Sequence, residues 1–371
     1  MDLNPNKILI LLFSGSFLLN FLITKILIRY SKKLNLIDHP DQRKMHSDSI
    51  PVVGGLGIAL TMSLIILCFL CTNQASGIFE FNQIVIISIS TSIILLTGLM
   101  DDSLGLTASN KFLFQLIATL IFLFGFDIQF KPIFSIESYI ITFIFNTLFI
   151  VGITNAFNLL DGLDGLAGGV SLIICMTLMF LYYLSGYGII QIALFVLLSG
   201  CLSSFLLFNK PPAKTFLGDT GSLFLGWYFA LTSIYFAEKT TLSLSILIPF
   251  MVLGLPAFDV LFVMLSRFIK RHNYKISFRN RFKSVFLPDN THLHHLLVRG
   301  GVSKGHTVIF LYVLTLISCI TCLFLWINQR VIEINFIYGI IFILLLIFIS
   351  RLYIEWKIKY RRIKKNRVNK D

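Results

Sequence analysis

Two adjacent carboxylates, Asp101 and Asp102, stand in the run GLMDDSLGL at the end of an apolar stretch. Like charges side by side repel and bury badly, and a divalent cation or a transferred proton relieves that repulsion. Solvation of an ordinary loop end is the plain alternative. A second run, GITNAFNLLDGLDGLAGG, places Asn155, Asn158, Asp161 and Asp164 at three-residue spacing. In a helical or turn-like segment that spacing lines them along one face. Gly162, Gly165, Gly168 and Gly169 keep the surface low in bulk. An acceptor-rich, acidic surface of this kind suits a uracil ring, ribose hydroxyls or a metal ion. A simple helix cap needs one such residue, not four. A third run, FNKPPAKTFLGDTGSLFLG, carries Asn209, Lys210 and Lys214 ahead of Asp219. Asp219 reads as a helix N-cap, or equally as a ligand for Mg2+ bound to a diphosphate. The run is not a Walker A sequence, so P-loop chemistry is not indicated.

A fourth run, PDNTHLHHLLVRGG, gathers His292, His294 and His295 among Arg279, Arg281, Lys283 and Arg299. Zinc is the rival reading, but no Cys lies nearby and acidic partners would have to come from other loops. A cationic, hydrogen-bonding site for a diphosphate fits the surrounding charge better. A fifth run, DHPDQRKMHSDSIPVVGGLG, holds Arg43, Lys44 and His46 before Gly54-Gly55. It reads as a phosphate contact with close backbone approach, or as positive loop charge before a tightly packed helix start. Together the runs supply what phosphoryl transfer needs: carboxylates for Mg2+, cations for phosphates, and positioning more than covalent chemistry.

The elements that must position these groups are membrane helices. Of the 371 residues, 56% are hydrophobic and only 13% charged, against about 25% charged in soluble domains. Mean hydropathy is +0.85. Apolar stretches of transmembrane length recur throughout. Eleven spans are expected, near 8–28, 52–72, 83–100, 112–130, 135–153, 166–185, 188–208, 221–237, 242–266, 307–327 and 334–354. The chain is therefore expected to be an all-α polytopic membrane protein, because unpaired backbone is excluded from lipid and these runs do not alternate as barrel strands do. The first apolar stretch is too long for a signal peptide and is kept as a span.

Of the 31 Lys and Arg, only Lys7, Lys131, Lys239 and Arg330 fall in the segments on one side. Lys25 lies in the first span and all the others fall on the opposite side. The positive-inside rule then places the N-terminus outside and the C-terminus in the cytoplasm. All five chemistry-bearing runs share that cytoplasmic face, including the long loop 267–306. The basic tail 355–371 is expected to lie against anionic lipid headgroups, and the net charge of +13 is read in the same way, not as a nucleic-acid surface. The six Cys have no metal-site flanks and read as small buried hydrophobes. No linker divides the chain, so a single domain is expected. A transporter would carry ionisable residues near the bilayer midplane, whereas these spans are almost free of charge. A scaffold would not need Asp101, Asp102 and Asp219 together. The acceptor must be reachable from lipid, which makes a lipid phosphate the natural nucleophile.

MDD, NAFNLLDGLDGLAGG, FLGDTGSL and HLHH, in this order, resemble the polyprenyl-phosphate N-acetylhexosamine-1-phosphate transferases, over about residues 30–305. The resemblance implies a Mg2+-dependent reaction, with Mn2+ as a substitute. A UDP-N-acetylhexosamine and undecaprenyl phosphate give the lipid-linked diphosphate sugar and UMP, at the cytoplasmic face of the bacterial cytoplasmic membrane. It implies that Asp219 is a Mg2+ ligand. Asp101 and Asp102 act by metal contact or by taking the lipid phosphate's proton. Asn155, Asn158, Asp161, Asp164 and Asn209 line the nucleotide pocket, and the three histidines contact the diphosphate or sugar. A homodimer is expected at family level. IPVVGG and HLHH match the phospho-GlcNAc branch, not the phospho-MurNAc-pentapeptide branch. The stretch RFKSVF before PDN departs from the arginine-rich pattern usual in relatives, which keeps FucNAc and QuiNAc as alternative sugars.

Overall fold

The computed structural model describes residues 5–39, 49–71, 81–126, 139–239, 247–272, 291–328, 339, 341–342 and 344–354. They are almost entirely helical: α1 (Pro5–Tyr30), α2 (Gly54–Cys71), α3 (Phe81–Leu104), α4 (Ala108–Phe126), α5 (Tyr139–Leu160), α6 (Leu166–Leu184), α7 (Ile189–Asn209), α8 (Gly218–Lys239), α9 (Leu247–Val252), α10 (Gly254–His272), α11 (Leu293–Arg299) and α12 (Lys304–Ile327). A final apolar helix, α13, covers Leu344–Ile354. Among the described residues, seven helices are long and apolar enough to cross a membrane, and α2, α10 and α13 contain shorter apolar stretches. The chain is a multi-pass membrane protein. Its outward residues are themselves apolar, as on α1 (Ile10, Leu18, Leu22 and Ile26), which is what a helix facing hydrocarbon requires.

Lipid gives helices no hydrophobic reason to associate, so small residues and buried polar side chains hold them together. On α7, Gly200 lies against Ser16 and Phe13 of α1. The Asn20 side-chain amide donates to the Cys201 carbonyl at 2.9 Å, and Thr61 of α2 donates to Asn20 at 3.4 Å.

Two expected limits are corrected. The fifth span does not end near 153; α5 continues to Leu160, so NAFNLL is helix and not loop. The ninth, expected unbroken at 242–266, is divided into α9 and α10. Pro256 lacks the N–H that would bond to the Val252 carbonyl. Helix α12 supplies the replacements: Ser318 donates to the Met251 carbonyl and Cys319 to the Val252 carbonyl at 4.0 Å. Hydropathy alone runs straight through such a break.

A two-stranded ribbon, β1 (Ile37–Asp38) and β2 (Ile50–Pro51), is antiparallel. Beyond it, Gly54 and Gly55 donate to the Phe216 and Leu217 carbonyls at 2.9 and 2.8 Å, and Phe216 donates back to Pro51 at 2.9 Å. A Cβ at Gly55 would overlap the Gly221 backbone, and one at Gly98 would overlap the Thr220 backbone. Of the two readings of Gly54-Gly55, the structure shows the packing one: glycines let α2 and α3 close onto the first turn of α8. Gly98→Ala is therefore expected to lower the thermal midpoint of the detergent-solubilised protein, since overpacking costs about 1–3 kcal/mol. Gly15→Ala, on α1 with open space around it, should leave the midpoint unchanged or raise it. Equal behaviour of the two variants would contradict the close-packing account.

Candidate active site

The ends of α3, α5 and α8 and the start of α4 meet at one end of the bundle. Asp102, in the last turn of α3, accepts from the backbone N–H of Asp219 at 2.8 Å and of Thr220 at 2.9 Å, and from the Thr220 hydroxyl at 2.6 Å. It thereby caps α8 from another helix and meets the positive end of the α8 dipole. Gly218 permits this approach: it has φ of +75°, and a Cβ there would strike Val52 and the Asp102 carboxylate. Because Asp102 does the capping, the Asp219 side chain is released for other work.

Lys111 joins that side chain to the other carboxylate of the pair. Its ammonium donates to Asp219 at 2.5 Å and to Asp101 at 2.8 Å. Asp101 also accepts from the Leu106 N–H at 2.6 Å. Sequence reasoning had counted Lys111 only among orientation charges. The available signal was its place at the start of an apolar span, just after the Asp pair.

Asp161 is half-buried beside these groups. Desolvation, then the charges of Asp219 and Asp102, push it up to about 8, against a bond from the Gly218 backbone. Lys111 pairs with Asp101 and Asp219 while Asp102 and Asp161 lie beside them, and retention of a proton by Asp161 relieves part of the excess negative charge.

The expected single face of Asn155, Asn158, Asp161 and Asp164 is not formed. Helix α5 stops at Leu160, so the last two leave the helical face that the first two share. Asn155 donates to Gln115 of α4 at 2.5 Å, between helices. Asn158 donates to Ser222 of α8 at 3.0 Å. Asp164 accepts from the Ala213 N–H at 3.2 Å. Asn209 accepts from the Gly165 N–H at 2.8 Å and donates to the Thr215 carbonyl at 2.9 Å. These groups frame the acidic cluster, and of the four only Asp161 joins it. Tyr312 of α12, which the sequence did not single out, donates to the Gly165 carbonyl at 2.5 Å. Gly165, with φ of +80°, is therefore held on both of its peptide groups.

His292 caps the start of α11, with His294 and His295 following. His294 is buried, and neither ring nitrogen has a hydrogen-bond partner. A Cβ on Gly162 would meet its Nε2, so the ring lies against the DGLDG loop. Burial, and then the His295 ring, push His294 down to about 3, leaving it neutral at physiological pH. Lys44, His46 and Arg281 lie outside the described residues.

The donor set fits a hard divalent cation: oxygens from carboxylates, with excess negative charge. Among the described residues no three His, Cys, Asp or Glu side chains enclose a metal position by themselves. Mg2+ characteristically takes one or two carboxylates and fills its shell with water and phosphate oxygens.

Residues 84–237, the stretch carrying all four carboxylates, match the family described as Glycosyl transferase family 4. Across 322 residues the chain is 34% identical to the "Probable undecaprenyl-phosphate N-acetylglucosaminyl 1-phosphate transferase" of Bacillus subtilis (strain 168), covering 85% of each protein. The chain belongs to glycosyl transferase family 4. Within the family it is also 30% identical to the undecaprenyl-phosphate alpha-N-acetylglucosaminyl 1-phosphate transferase of Thermotoga maritima, covering 79% of this chain and 83% of that protein. It is 29% identical to a phospho-N-acetylmuramoyl-pentapeptide-transferase of Chlamydia trachomatis, covering 81% and 93%. For a family 4 member the acidic cluster is the natural place to look for chemistry, since it joins the middle of the matched region to the start of α8.

Proposed function

We propose that the protein transfers N-acetylglucosamine-1-phosphate from UDP-N-acetylglucosamine to undecaprenyl phosphate, releasing UMP. This is the lipid-linked first step of a cell-surface polysaccharide. The observation that carries the reading is the gathering of Asp101, Asp102, Asp161 and Asp219 at one end of a membrane bundle, with Lys111 bridging Asp101 and Asp219 and Asp102 capping the helix that bears Asp219. Relatives named for N-acetylglucosaminyl 1-phosphate transfer support that sugar.

In this reading an oxygen of the lipid phosphate attacks the phosphorus that carries the sugar. A new P–O–P bond forms, the bond to the uridine-bearing phosphate breaks, and UMP leaves. Bound Mg2+ would supply charge neutralisation at the diphosphate, with Mn2+ as a substitute; Asp219 would hold the ion, joined by Asp161 once that carboxyl gives up its proton. Asp102 fixes the α8 terminus from which Asp219 projects. Lys111 bridges Asp101 and Asp219, whose carboxyls also hydrogen-bond to each other, and supplies positive charge near the transferred phosphoryl group. One of the Asp101–Asp102 pair takes the proton of the lipid phosphate. Asp102, raised by burial, is the better acceptor, because at Asp101 burial is outweighed by hydrogen bonds to Asp219, Lys111 and the Leu106 N–H, which hold it low. Direct attack needs only positioning and charge neutralisation. Asn158, Asp164 and Asn209 brace the loop that meets the nucleotide, and His292, His294 and His295 cover the diphosphate side.

The same proposal places the site on the cytoplasmic face of the bacterial cytoplasmic membrane, in a single domain. It has eleven spans, with the N-terminus outside and the C-terminus inside, and homodimer formation accompanies it. Purified protein with undecaprenyl phosphate and UDP-N-acetylglucosamine is expected to release UMP. UDP-FucNAc, UDP-QuiNAc and UDP-MurNAc-pentapeptide should be used far less well. EDTA should stop turnover and Mg2+ restore it. No UMP from any donor would overturn the reaction, and turnover indifferent to EDTA would overturn the metal.

A further inference from the structure

Asp259 is a buried carboxylate inside an expected span. It sits on α10 and only 6% of it is exposed; His292 and Arg351 beside it are 4% and 5% exposed. An ionisable side chain kept inside a membrane helix is costly and marks function by default. One carboxylate oxygen lies 3.0 Å from the His292 Nδ1. The other accepts from the Leu293 N–H at 2.9 Å and lies 3.9 Å from the Arg351 guanidinium. Arg351, on α13, also donates to the Thr291 carbonyl at 3.1 Å. Three elements far apart in sequence therefore close on the residue that begins HLHH.

We propose that Asp259 and Arg351 are positioning residues that fix the ring and tautomer of His292 for the reaction. The proposal rests on the transferase reading above. A carboxylate only accepts, so the His292 proton sits on Nδ1, and Nε2 is the position presented elsewhere. Asp259 also supports the positive ring that forms if Nε2 takes a proton while the diphosphate is being cleaved. Arg351 faces Asp259 with a positive charge 3.9 Å away and ties α13 to the segment bearing the histidines. The ring of His294 lies nearly parallel to that of His292, centroids 6.1 Å apart, and the His295 ring packs against His294 at 4.1 Å, tilted by 41°. Orientation of His292 therefore extends along the row. This follows the logic by which a carboxylate behind an imidazole sets its basicity and direction.

The test is steady-state UMP release by detergent-purified full-length protein. Asp259→Asn should lower kcat by about 10–100-fold, with KM for UDP-N-acetylglucosamine changed less than about threefold, because a transition-state interaction is lost and not ground-state binding. The pH profile of kcat should move, since the amide can donate to Nδ1 and favour the other tautomer. Asp259→Glu should recover part of the rate. Arg351→Gln, which leaves the carboxylate–histidine bond and the Leu293 cap in place, should lose several-fold in kcat and move the pH profile in the same sense. If wild-type protein releases no UMP, the transferase reading fails and not this one. Where wild-type works, an unmoved pH profile with wild-type kcat in both variants overturns the proposal. So does a rate loss that only tracks the folded fraction and is not recovered by Glu.

Discussion

Asp219→Asn is expected to reduce UMP release by about a thousandfold or more, leaving membrane abundance and the elution profile in detergent unchanged. The magnitude follows from removing one preorganised charge at a phosphoryl-transfer centre, which costs on the order of a hundred- to a thousandfold in rate by itself. A ligand to a divalent cation adds to that. The structure explains why the fold should survive. Asp102, and not Asp219, caps α8 through two backbone N–H groups and the Thr220 hydroxyl, so the neutral amide removes charge without removing the cap. Asp102→Asn should behave differently. It places an N–H donor against the donors of Asp219 and Thr220 and should lower the thermal midpoint along with the rate. Turnover near wild-type in Asp219→Asn would sink the site assignment.

Lys111→Met carries the other large effect. The Met side chain matches the stem in length and apolarity but cannot bridge Asp101 and Asp219, which Lys111 contacts at 2.8 and 2.5 Å. Breaking a largely buried pair by deleting one partner typically costs about 3–5 kcal/mol, because the remaining charge is left uncompensated. Here two carboxylates lose their counter-ion at once, with Asp161 and Asp102 adjacent. The expected result is loss of measurable UMP release and a clearly lowered thermal midpoint, part of which millimolar Mg2+ should restore by replacing the missing positive charge. Stability and rate both unchanged in Lys111→Met would show that the bridge has no role. Lys111→Arg separates charge from shape: the planar fork keeps the charge but not the point geometry, so it should recover more stability than activity.

The clustered carboxylates are legible in sequence because lipid makes polar residues expensive, so runs such as MDD and GDTG are conspicuous against apolar spans. The histidine run was legible for the same reason. Lys111, Asp259 and Arg351 were not. Each is a lone charge, and a lone charge at a span end is absorbed by the orientation count, while one inside a span is averaged away by hydropathy. The row from Asn155 to Asp164 was seen but given one face, because three-residue spacing carries no sign of the helix end at Leu160. The division of α9 from α10 was hidden because Gly254 and Pro256 hardly disturb hydropathy, and the carbonyls they free find donors on α12.

The glycine seams have a consequence for how the molecule is made. Gly55 and Gly98 present bare backbone whose nearest neighbours outside their own helices belong to Leu217, Asp219, Thr220 and Gly221, and Asp102 reaches across 117 residues to its bond with Asp219. During synthesis α2 and α3 enter the bilayer long before α8 exists. Their seams are therefore lined by lipid or by one another, and the Asp pair is left without its cap. Arrival of α8 zips both seams and orders the carboxylates in one event. The acidic cluster is thus put in order late in biogenesis, when the eighth helix slots between two that have been waiting for it.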